Sequence, residues 1–334
     1  MLKVNLYSLQ EISSRKEEWN KRAISSNSIS QTFDWALVHS TIRTRPLFLS
    51  ISENNDWVAT WLVFIHFSVL GRIIKIVSEP VINSSQNREE VYFMMENALE
   101  KLHPLKIDYL DFAHSRLTNK KILEHLKFTH IYKYNTYLVD LTKEIELIWK
   151  DIHKKHRNDI RYAQKIGVTI EETNNVKLFY DLSCETYARS NKIPTPLRLL
   201  SAYYNAFGPF KMARIFIAKY QNKPLAAAFM LCYGDKILYF KGATANQLIR
   251  GSGNLLHWHL IQLFKQEGYK IYDFGGVSLV DEDQKLRGIK LFKSRFGGEE
   301  LFCYGGIKIL NPFKEKVLNK IKQLKIWVNK WFLP

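Results

Sequence analysis

Cysteine is scarce in this chain of 334 residues, which contains only three. Cys184, Cys232 and Cys303 are scattered and show no paired spacing. This argues against a disulfide framework and against a zinc site, and it fits a protein of a reducing compartment. The sequence implies no metal and no redox cofactor.

Long apolar segments are also missing. The most apolar run, residues 57–70, is shorter than the about 20 residues that a membrane-spanning helix needs. The N-terminus has no apolar stretch of signal-peptide length. We therefore expect a soluble, cytoplasmic protein.

Acidic residues are few compared with basic ones. The chain has 32 Asp and Glu against 49 Lys and Arg, which gives a formal net charge of +17 and a pI near 9.6. Such an excess attracts polyanions: nucleic acid, an anionic membrane face or phosphorylated substrates. The content of hydrophobic residues, 46%, indicates a folded protein, and the length allows two domains.

The most informative stretch is residues 268–306, which contains two Gly-Gly pairs. Paired glycines directly after a strand permit positive φ and the close approach of a ligand. Asp273 ends a predicted strand before the first pair, and Lys293 and Arg295 precede the second. Opposite charges near one strand end predict the floor of a binding site. The alternative is that the glycines only form turns and that both cations are solvated.

A second candidate is the basic run at residues 153–165, within a long helix predicted over residues 144–165. At helical spacing, residues 154, 157, 161 and 165 share one face. Arg157 and Arg161 are the preferred phosphate ligands, because a planar guanidinium binds phosphate through two hydrogen bonds. A merely solvated face is the alternative interpretation.

Three blocks, in this order, resemble the FemABX family of peptidoglycan-bridge aminoacyltransferases. They are Gln-Thr-Phe-Asp-Trp at 31–35, a strand-and-helix segment at 136–168, and Tyr-Asp-Phe-Gly-Gly followed by Gly-Ile-Lys-Leu-Phe-Lys-Ser-Arg-Phe-Gly-Gly at 272–298. The resemblance implies an α/β fold with two GNAT-like domains in tandem, each a mixed sheet flanked by helices. Only residues 174–205 are available where larger members carry a helical arm, so this chain is similar to the compact members.

The predicted order of elements repeats once along the chain, which fits this tandem arrangement. We expect a first domain over residues 1–140 and a second over residues 141–310. Residues 311–334 show the pattern of a basic amphipathic helix. We expect this helix to pack on the first domain, with docking to anionic lipid heads or tRNA phosphates as the alternative.

The resemblance also implies a reaction and its partners. An amino acid would pass from aminoacyl-tRNA to the stem-peptide amine of a lipid-linked or nucleotide-linked peptidoglycan precursor. The enzyme would be a monomer, in peripheral contact with the inner membrane face. Lys293 matches the functional lysine of the family and would stabilise the oxyanion or the phosphates beside the scissile ester. Asp273 would either be the acceptor near the incoming ammonium or only cap the glycine turn.

The expected substrate-binding residues come from both lines of reasoning. They are Trp35, His39, Arg157, Arg161, Tyr239, Lys241, Gly275, Gly276, Phe292 and Arg295. The chain departs from the family pattern at His39, where a basic residue is common, and at Ala113 and His114, where Asp-Pro is common.

Two other functions stay open. Simple GNAT enzymes hold the pyrophosphate of acyl-CoA at a helix start with an Arg/Gln-x-x-Gly-x-Gly/Ala turn. The string at residues 247–253 has the glycines but places Gln and Arg at other offsets, and Ser252 could equally cap the helix. An N-acyltransferase using acyl-CoA or another activated acyl donor is therefore the alternative. A non-catalytic protein of this fold that binds tRNA or membrane is the third option.

Overall fold

The computed structural model describes most of the chain and divides it into two compact units. The described residues are 2–41, 43–68, 71–76, 78–83, 85–100, 107–117, 120–128, 130–189, 192–247, 249–278, 284–311, 313 and 316. The first unit takes its described residues from 1–23, 30–133 and 303–334, and the second from 24–29 and 134–302.

The elements up to residue 125 build most of the first unit. In chain order they are β1 (Lys3–Tyr7), α1 (Leu9–Ile12), α2 (Lys16–Ser25), α3 (Phe33–His39), β2 (Thr44–Glu53), β3 (Asp56–Ser68), β4 (Gly71–Lys75), β5 (Val81–Ile82), α4 (Arg88–Glu100), β6 (Tyr109–Leu117) and α5 (Lys120–His125).

The remaining elements build the second unit and complete the first. They are β7 (His130–Asp140), α6 (Ile145–Asp151), α7 (Lys154–Lys165), β8 (Thr169–Thr173), α8 (Val176–Ala188), α9 (Leu197–Phe207), β9 (Ala213–Tyr220), β10 (Lys223–Tyr233), β11 (Lys236–Thr244), α10 (Ser252–Gln266), β12 (Ile271–Asp273), β13 (Val277–Ser278), α11 (Gln284–Ser294) and β14 (Glu299–Ile309).

The two units share one strand pattern. In the first, the order is β1-β2-β3-β4-β6-β14, and in the second it is β8-β9-β10-β11-β12-β7. Each has a run of antiparallel strands, one parallel pair (β4 with β6, β11 with β12) and a final antiparallel strand. The prediction of a repeated mixed α/β layout is therefore confirmed.

The unit boundaries differ from the expected 1–140 and 141–310. Residues 134–140 of β7 belong to the second unit, where they pair with β12, and the end of β14 pairs with β6 in the first. The closing strand of each unit is thus distant in sequence from its neighbour. Backbone pairing of this kind leaves no local signal in the sequence, so the prediction was wrong at these edges.

The Gln-Thr-Phe-Asp-Trp segment at residues 31–35 has a structural role. The Gln31 side chain is buried, and its amide donates to the carbonyl of Leu62 in β3 and accepts from the Leu62 backbone N–H. The indole of Trp19 in α2 donates to the Gln31 carbonyl. This segment therefore joins α2 and α3 to the sheet of the first unit.

The long helix predicted over residues 144–165 is two helices, α6 and α7. Ile152 ends α6 with extended backbone angles, and its side chain is buried. His153 then caps α7, because its Nδ1 accepts from the N–H of Lys155 at 3.2 Å. The periodicity of both halves is helical, so the sequence pattern does not reveal the break.

The basic helix predicted at 311–334 lies outside the described residues, apart from positions 311, 313 and 316. Within the described ranges, no helix is both long and apolar enough to cross a bilayer.

The start of α10 packs against α7 through a glycine. Gly251 has φ +80°, and a Cβ at this position would lie 2.0 Å from the backbone oxygen of Asp159. At Gly253, two residues later, an added Cβ would meet only the Phe292 ring, at 3.9 Å. The two glycines therefore form a matched pair for testing this contact.

We expect Gly251→Ala to lower the free energy of unfolding by about 2 kcal/mol or more, because it adds both strain and a backbone clash. Gly253→Ala should leave that free energy unchanged or raise it by up to about 1 kcal/mol through helix propensity. Chemical denaturation of both variants checks the difference. Equal losses would contradict the described α7–α10 contact.

Candidate active site

Lys293 lies in the last turn of α11 and is buried, with 8% of its surface exposed. Its Nζ donates to the carbonyl oxygens of Gly275 at 3.1 Å and Gly276 at 3.4 Å. An ammonium has three N–H donors. The described residues provide two acceptors, which leaves one donor for a ligand.

The backbone at Gly275 explains why glycine is needed beside this lysine. Gly275 has φ +71°, and a Cβ there would lie 2.9 Å from the carbonyl oxygen of Tyr239 and 3.8 Å from the Lys293 Nζ. A side chain would therefore push against β11 and fill space at the ammonium. The Gly-Gly pair forms a turn and also supplies the carbonyls that hold Lys293.

Asp273 ends β12 and is fully buried. Its Oδ1 accepts from the Thr136 hydroxyl at 2.6 Å and from the Gly275 N–H at 2.8 Å, and its Oδ2 pairs with the Lys236 ammonium at 3.0 Å. These contacts favour the turn-capping interpretation over a role as proton acceptor. Asp273 therefore holds the N–H of Gly275, the residue whose carbonyl binds Lys293.

Burial controls the protonation of Lys293. Desolvation lowers the pKa of its ammonium to about 8, and the Asp273 carboxylate opposes this by raising it. A lysine with this pKa is mostly charged at neutral pH and can still release a proton. It can therefore stabilise a developing oxyanion or protonate a leaving oxygen.

The rings of His257, Tyr239 and Phe292 form a cluster beside Lys293. His257 in α10 is buried, lies 4.4 Å from the Tyr239 ring centroid and 5.6 Å from that of Phe292, and its Nδ1 lies 2.7 Å from the Tyr272 hydroxyl oxygen. Burial, with the nearby charge of Lys293, lowers the pKa of His257 to about 3. A neutral, hydrogen-bonded histidine therefore belongs to the structural support, and the lysine is the charged group.

Tyr239 and Phe292, both expected to bind substrate, belong to this cluster. The Lys293 Nζ lies 5.7 Å from the Tyr239 ring centroid. The Phe292 ring packs on His156, and the Phe292 carbonyl lies 3.0 Å from the His156 Nε2. The structure thus brings together Lys293, Asp273, Gly275, Gly276, Tyr239 and Phe292.

The basic run divides between two roles. Arg157 donates from Nη1 to the carbonyls of Trp149 and Lys150, at 3.4 and 2.7 Å, and so caps the end of α6. The phosphate-binding role expected for Arg157 is therefore not what its contacts favour. Arg161 is exposed, with its guanidinium 5.3 Å from the Trp149 ring centroid.

Two further expected residues lie near the cluster but outside it. Lys241 follows a β-bulge at which the β10–β11 register shifts between Phe229 and Met230, and its Nζ lies 4.8 Å from the Phe240 ring centroid. Burial lowers the pKa of Lys241. Arg295 is half-buried, and its carbonyl accepts from the His153 N–H.

Trp35 and His39 belong to the first unit. Their rings stack at 5.2 Å between centroids, and His39 also packs on Phe64. Both lie on α3 and contribute to the packing of that unit.

Sequence reasoning missed three residues of the site. Thr136 and Lys236 complete the partners of Asp273, and His156 supports Phe292 from α7. Lys236 and Thr136 resemble any other strand residue in the sequence. A signal existed only for His156, which stands among lysines yet lies on the buried face of an amphipathic helix.

A cavity of about 300 Å³ in the second unit adjoins this cluster at the ring of Phe296, which packs on Phe292 at 5.3 Å between centroids. Its lining includes Asp140, Asp151, Glu299 and the ring of Phe296, but not Lys293 or the glycine carbonyls. Within the described residues, no group of three or more His, Cys, Asp or Glu side chains is arranged to hold a metal ion.

The start of α10 also has an unused donor. Asn254 is buried, with 8% of its surface exposed, and its Nδ2 has no hydrogen-bond acceptor among the described residues. Ser252 is used differently from the expected cap, because its hydroxyl donates back to the Ile249 carbonyl. Backbone N–H groups and an amide at a helix start are suited to an anion.

Part of the chain matches a known protein family, and the fold is similar to that of solved structures. The model of the acetyltransferase (GNAT) domain family matches residues 150–286. No curated protein matches the chain. The structure of FemX is similar with a TM-score of 0.74 and 16% identity, covering 94% of this chain and 99% of that one.

Two other solved structures share the architecture at lower similarity. A tandem GNAT protein of the clavulanic acid biosynthesis pathway has a TM-score of 0.56 at 6% identity, covering 92% of this chain and 98% of that one. The C-terminal domain of a protein described as a lysylphosphatidylglycerol synthetase of Agrobacterium fabrum has a TM-score of 0.56 at 13% identity, covering 90% and 92%.

These findings confirm the resemblance to FemX at the level of the fold, together with the prediction of two GNAT-like units in tandem. The family match over residues 150–286 supports an acyltransferase.

Proposed function

We propose that this protein is an aminoacyltransferase that moves an amino acid from aminoacyl-tRNA to the stem-peptide amine of a peptidoglycan precursor. The observation that carries the proposal is the buried Lys293 ammonium, held by two glycine carbonyls and with one N–H donor that no described residue accepts. The net charge of +17 and the similarity to FemX over nearly the whole chain support an RNA-linked donor. The described site needs no metal for this chemistry.

The reaction breaks one ester bond and forms one amide bond. The neutral amine attacks the ester carbonyl and a tetrahedral oxyanion forms. On its collapse the ribose oxygen leaves; the nitrogen loses one proton and the ribose oxygen gains one. The Lys293 ammonium can stabilise the oxyanion, or it can give its proton to the ribose oxygen and regain one from the attacking nitrogen. Asp273 acts through Gly275 and is a positioning residue.

A second candidate is an N-acyltransferase that uses acyl-CoA. The unused Nδ2 of Asn254 at the start of α10 favours it, because this is where a pyrophosphate would meet backbone N–H groups. The two functions share Lys293 but differ in the activated donor.

Purified protein separates the two candidates. With tRNAs charged in turn with each radiolabelled amino acid, we expect label to appear on the precursor in the presence of one of them. Release of CoA from acyl-CoA, with no transfer from any charged tRNA, would support the second candidate and contradict the first.

We expect Lys293→Met to lower kcat by about 10²-fold or more, the loss typical of removing one oxyanion donor. The thermal midpoint at pH 7 should be nearly unchanged, because relief of a buried charge offsets the two lost hydrogen bonds. Lys290→Met is the matched control, since Lys290 lies on the same helix with 38% of its side chain exposed. Full activity in Lys293→Met would show that the site is elsewhere.

The depressed pKa of Lys293 also predicts a pH effect on stability. The unfolded chain holds this proton up to about pH 10.4, whereas the folded chain releases it near pH 8. Between these values the unfolded state binds more protons, so the contribution of Lys293 to stability rises with pH, by at most about 1.4 kcal/mol per unit. The free energy of unfolding of the wild type minus that of Lys293→Met should show this rise. A flat difference would mean that Lys293 is not desolvated.

The Asp273 carboxylate should raise the pH at which activity is lost on the alkaline side. If kcat requires the Lys293 ammonium, it falls as pH rises through about 8. Because Asp273 raises this pKa, removing its charge should move the fall to lower pH. We would measure kcat against pH for Asp273→Asn combined with Lys236→Met, which avoids leaving a buried cation without its partner.

The control for this profile is Asp181→Asn, which removes an exposed carboxylate paired with Lys177. Its alkaline limit should match that of the wild type. An unmoved limit in a folded Asp273→Asn, Lys236→Met variant would contradict the effect of the Asp273 charge on the pKa of Lys293.

A further inference from the structure

The exposed side of α7 carries cations and no exposed carboxylate. Among its 12 residues the only acid is Asp159, which is 8% exposed and bound to Arg250 at 2.6 Å. Lys154, Arg161 and Lys165 are all exposed. The side chains of this surface therefore present positive charge that no acid of the same helix neutralises.

These three cations form one stripe. They are spaced by seven and four residues, which in an α-helix places them within about 40° of one another around the axis, at steps of about 10 and 6 Å along it. Arg157, which sequence periodicity adds to the stripe, is diverted to the end of α6. A straight row of separated cations matches a polymer of regularly spaced anions.

Two arginine–aromatic pairs flank the stripe. The Arg161 guanidinium lies 5.3 Å from the Trp149 ring centroid, and that of Arg250 lies 5.6 Å from the ring centroid of Tyr162. Tyr162 is 44% exposed and the Arg250 side chain 63% exposed. Guanidinium planes and aromatic rings are surfaces on which unpaired bases stack. No exposed residue of α7 is aliphatic, which argues against a helix that inserts into lipid.

We propose that this surface, formed by Lys154, Arg161, Lys165, Tyr162, Trp149 and Arg250, binds the RNA of the aminoacyl donor. The inference rests on the proposed function and names where its donor docks. Phosphates lie along the three cations, and unpaired bases lie against the two arginine–aromatic pairs. The buried side of the same helix holds the Phe292 carbonyl through His156. RNA on α7 therefore lies one helix away from the segment that carries Lys293.

The test is equilibrium binding of an unacylated tRNA transcript at several salt concentrations. The variant is Lys154→Ala, Arg161→Ala, Lys165→Ala, and the control is Lys177→Ala, Lys211→Ala, Lys223→Ala. The control lysines are exposed in the same unit and remove the same formal charge. We expect the α7 variant to bind about 100-fold more weakly near 0.1 M salt, with a salt slope smaller by about 2 to 3. The control should bind nearly as the wild type does.

A charge-preserving change tests the stacking separately. Arg161→Lys keeps the cation but loses the planar guanidinium, so the salt slope should stay while affinity falls several-fold. An unchanged affinity would overturn the stacking part of the proposal.

Other outcomes overturn the proposal in distinguishable ways. Equal weakening of both triple variants would assign binding to net charge and not to α7. A wild type that transfers label from charged tRNA while the α7 variant binds tRNA normally would leave the proposed function intact and place the RNA elsewhere. A wild type that binds no tRNA would overturn both. Loss of binding only to vesicles containing anionic phosphatidylglycerol, with tRNA binding retained, would make the surface a lipid contact.

Discussion

The candidate site of the second unit depends on one lysine ammonium held out of water, with no carboxylate of the described residues in direct contact with it. Two glycine carbonyls bind the Lys293 Nζ, and the Tyr239 ring centroid lies 5.7 Å from it. Carbonyl dipoles satisfy hydrogen bonds but do not neutralise charge, so the pKa falls and the cation stays reactive. Asp273, paired with Lys236, accepts from the N–H of Gly275 and so holds the residue that presents the first of those carbonyls.

Helix α7 shows how one amphipathic element serves both packing and recognition. Its buried side places His156 against Phe292 and Asp159 against Arg250, so it supports both α11 and the start of α10. Its exposed side carries Lys154, Arg161 and Lys165 and no exposed carboxylate of the helix itself. The same sequence periodicity thus separates structural polar groups from those available to a polyanion.

Much of the architecture could be predicted from the sequence, because hydrophobic periodicity and turn residues are local. The helical character of residues 144–165, the strand that ends at Asp273 and the repeated α/β layout are confirmed. The pairing of the closing strand in each unit could not be predicted. β14 pairs with β6 and β7 with β12 through backbone hydrogen bonds, which carry no side-chain pattern specific to a partner. The break between α6 and α7 was missed because helical periodicity continues on both sides of it.

The sequence by itself determined the excess of positive charge, the glycine pairs around Lys293 and the order of motifs that resembles FemABX, since composition and spacing are properties of the chain. Only the tertiary structure decided what each polar group does. Asp273 meets Thr136 across 137 positions of sequence and Lys236 across a strand pair, while Arg157 turns back to cap α6. A charged side chain takes its role from the partner and the burial that folding provides, and neither is encoded in the residues next to it.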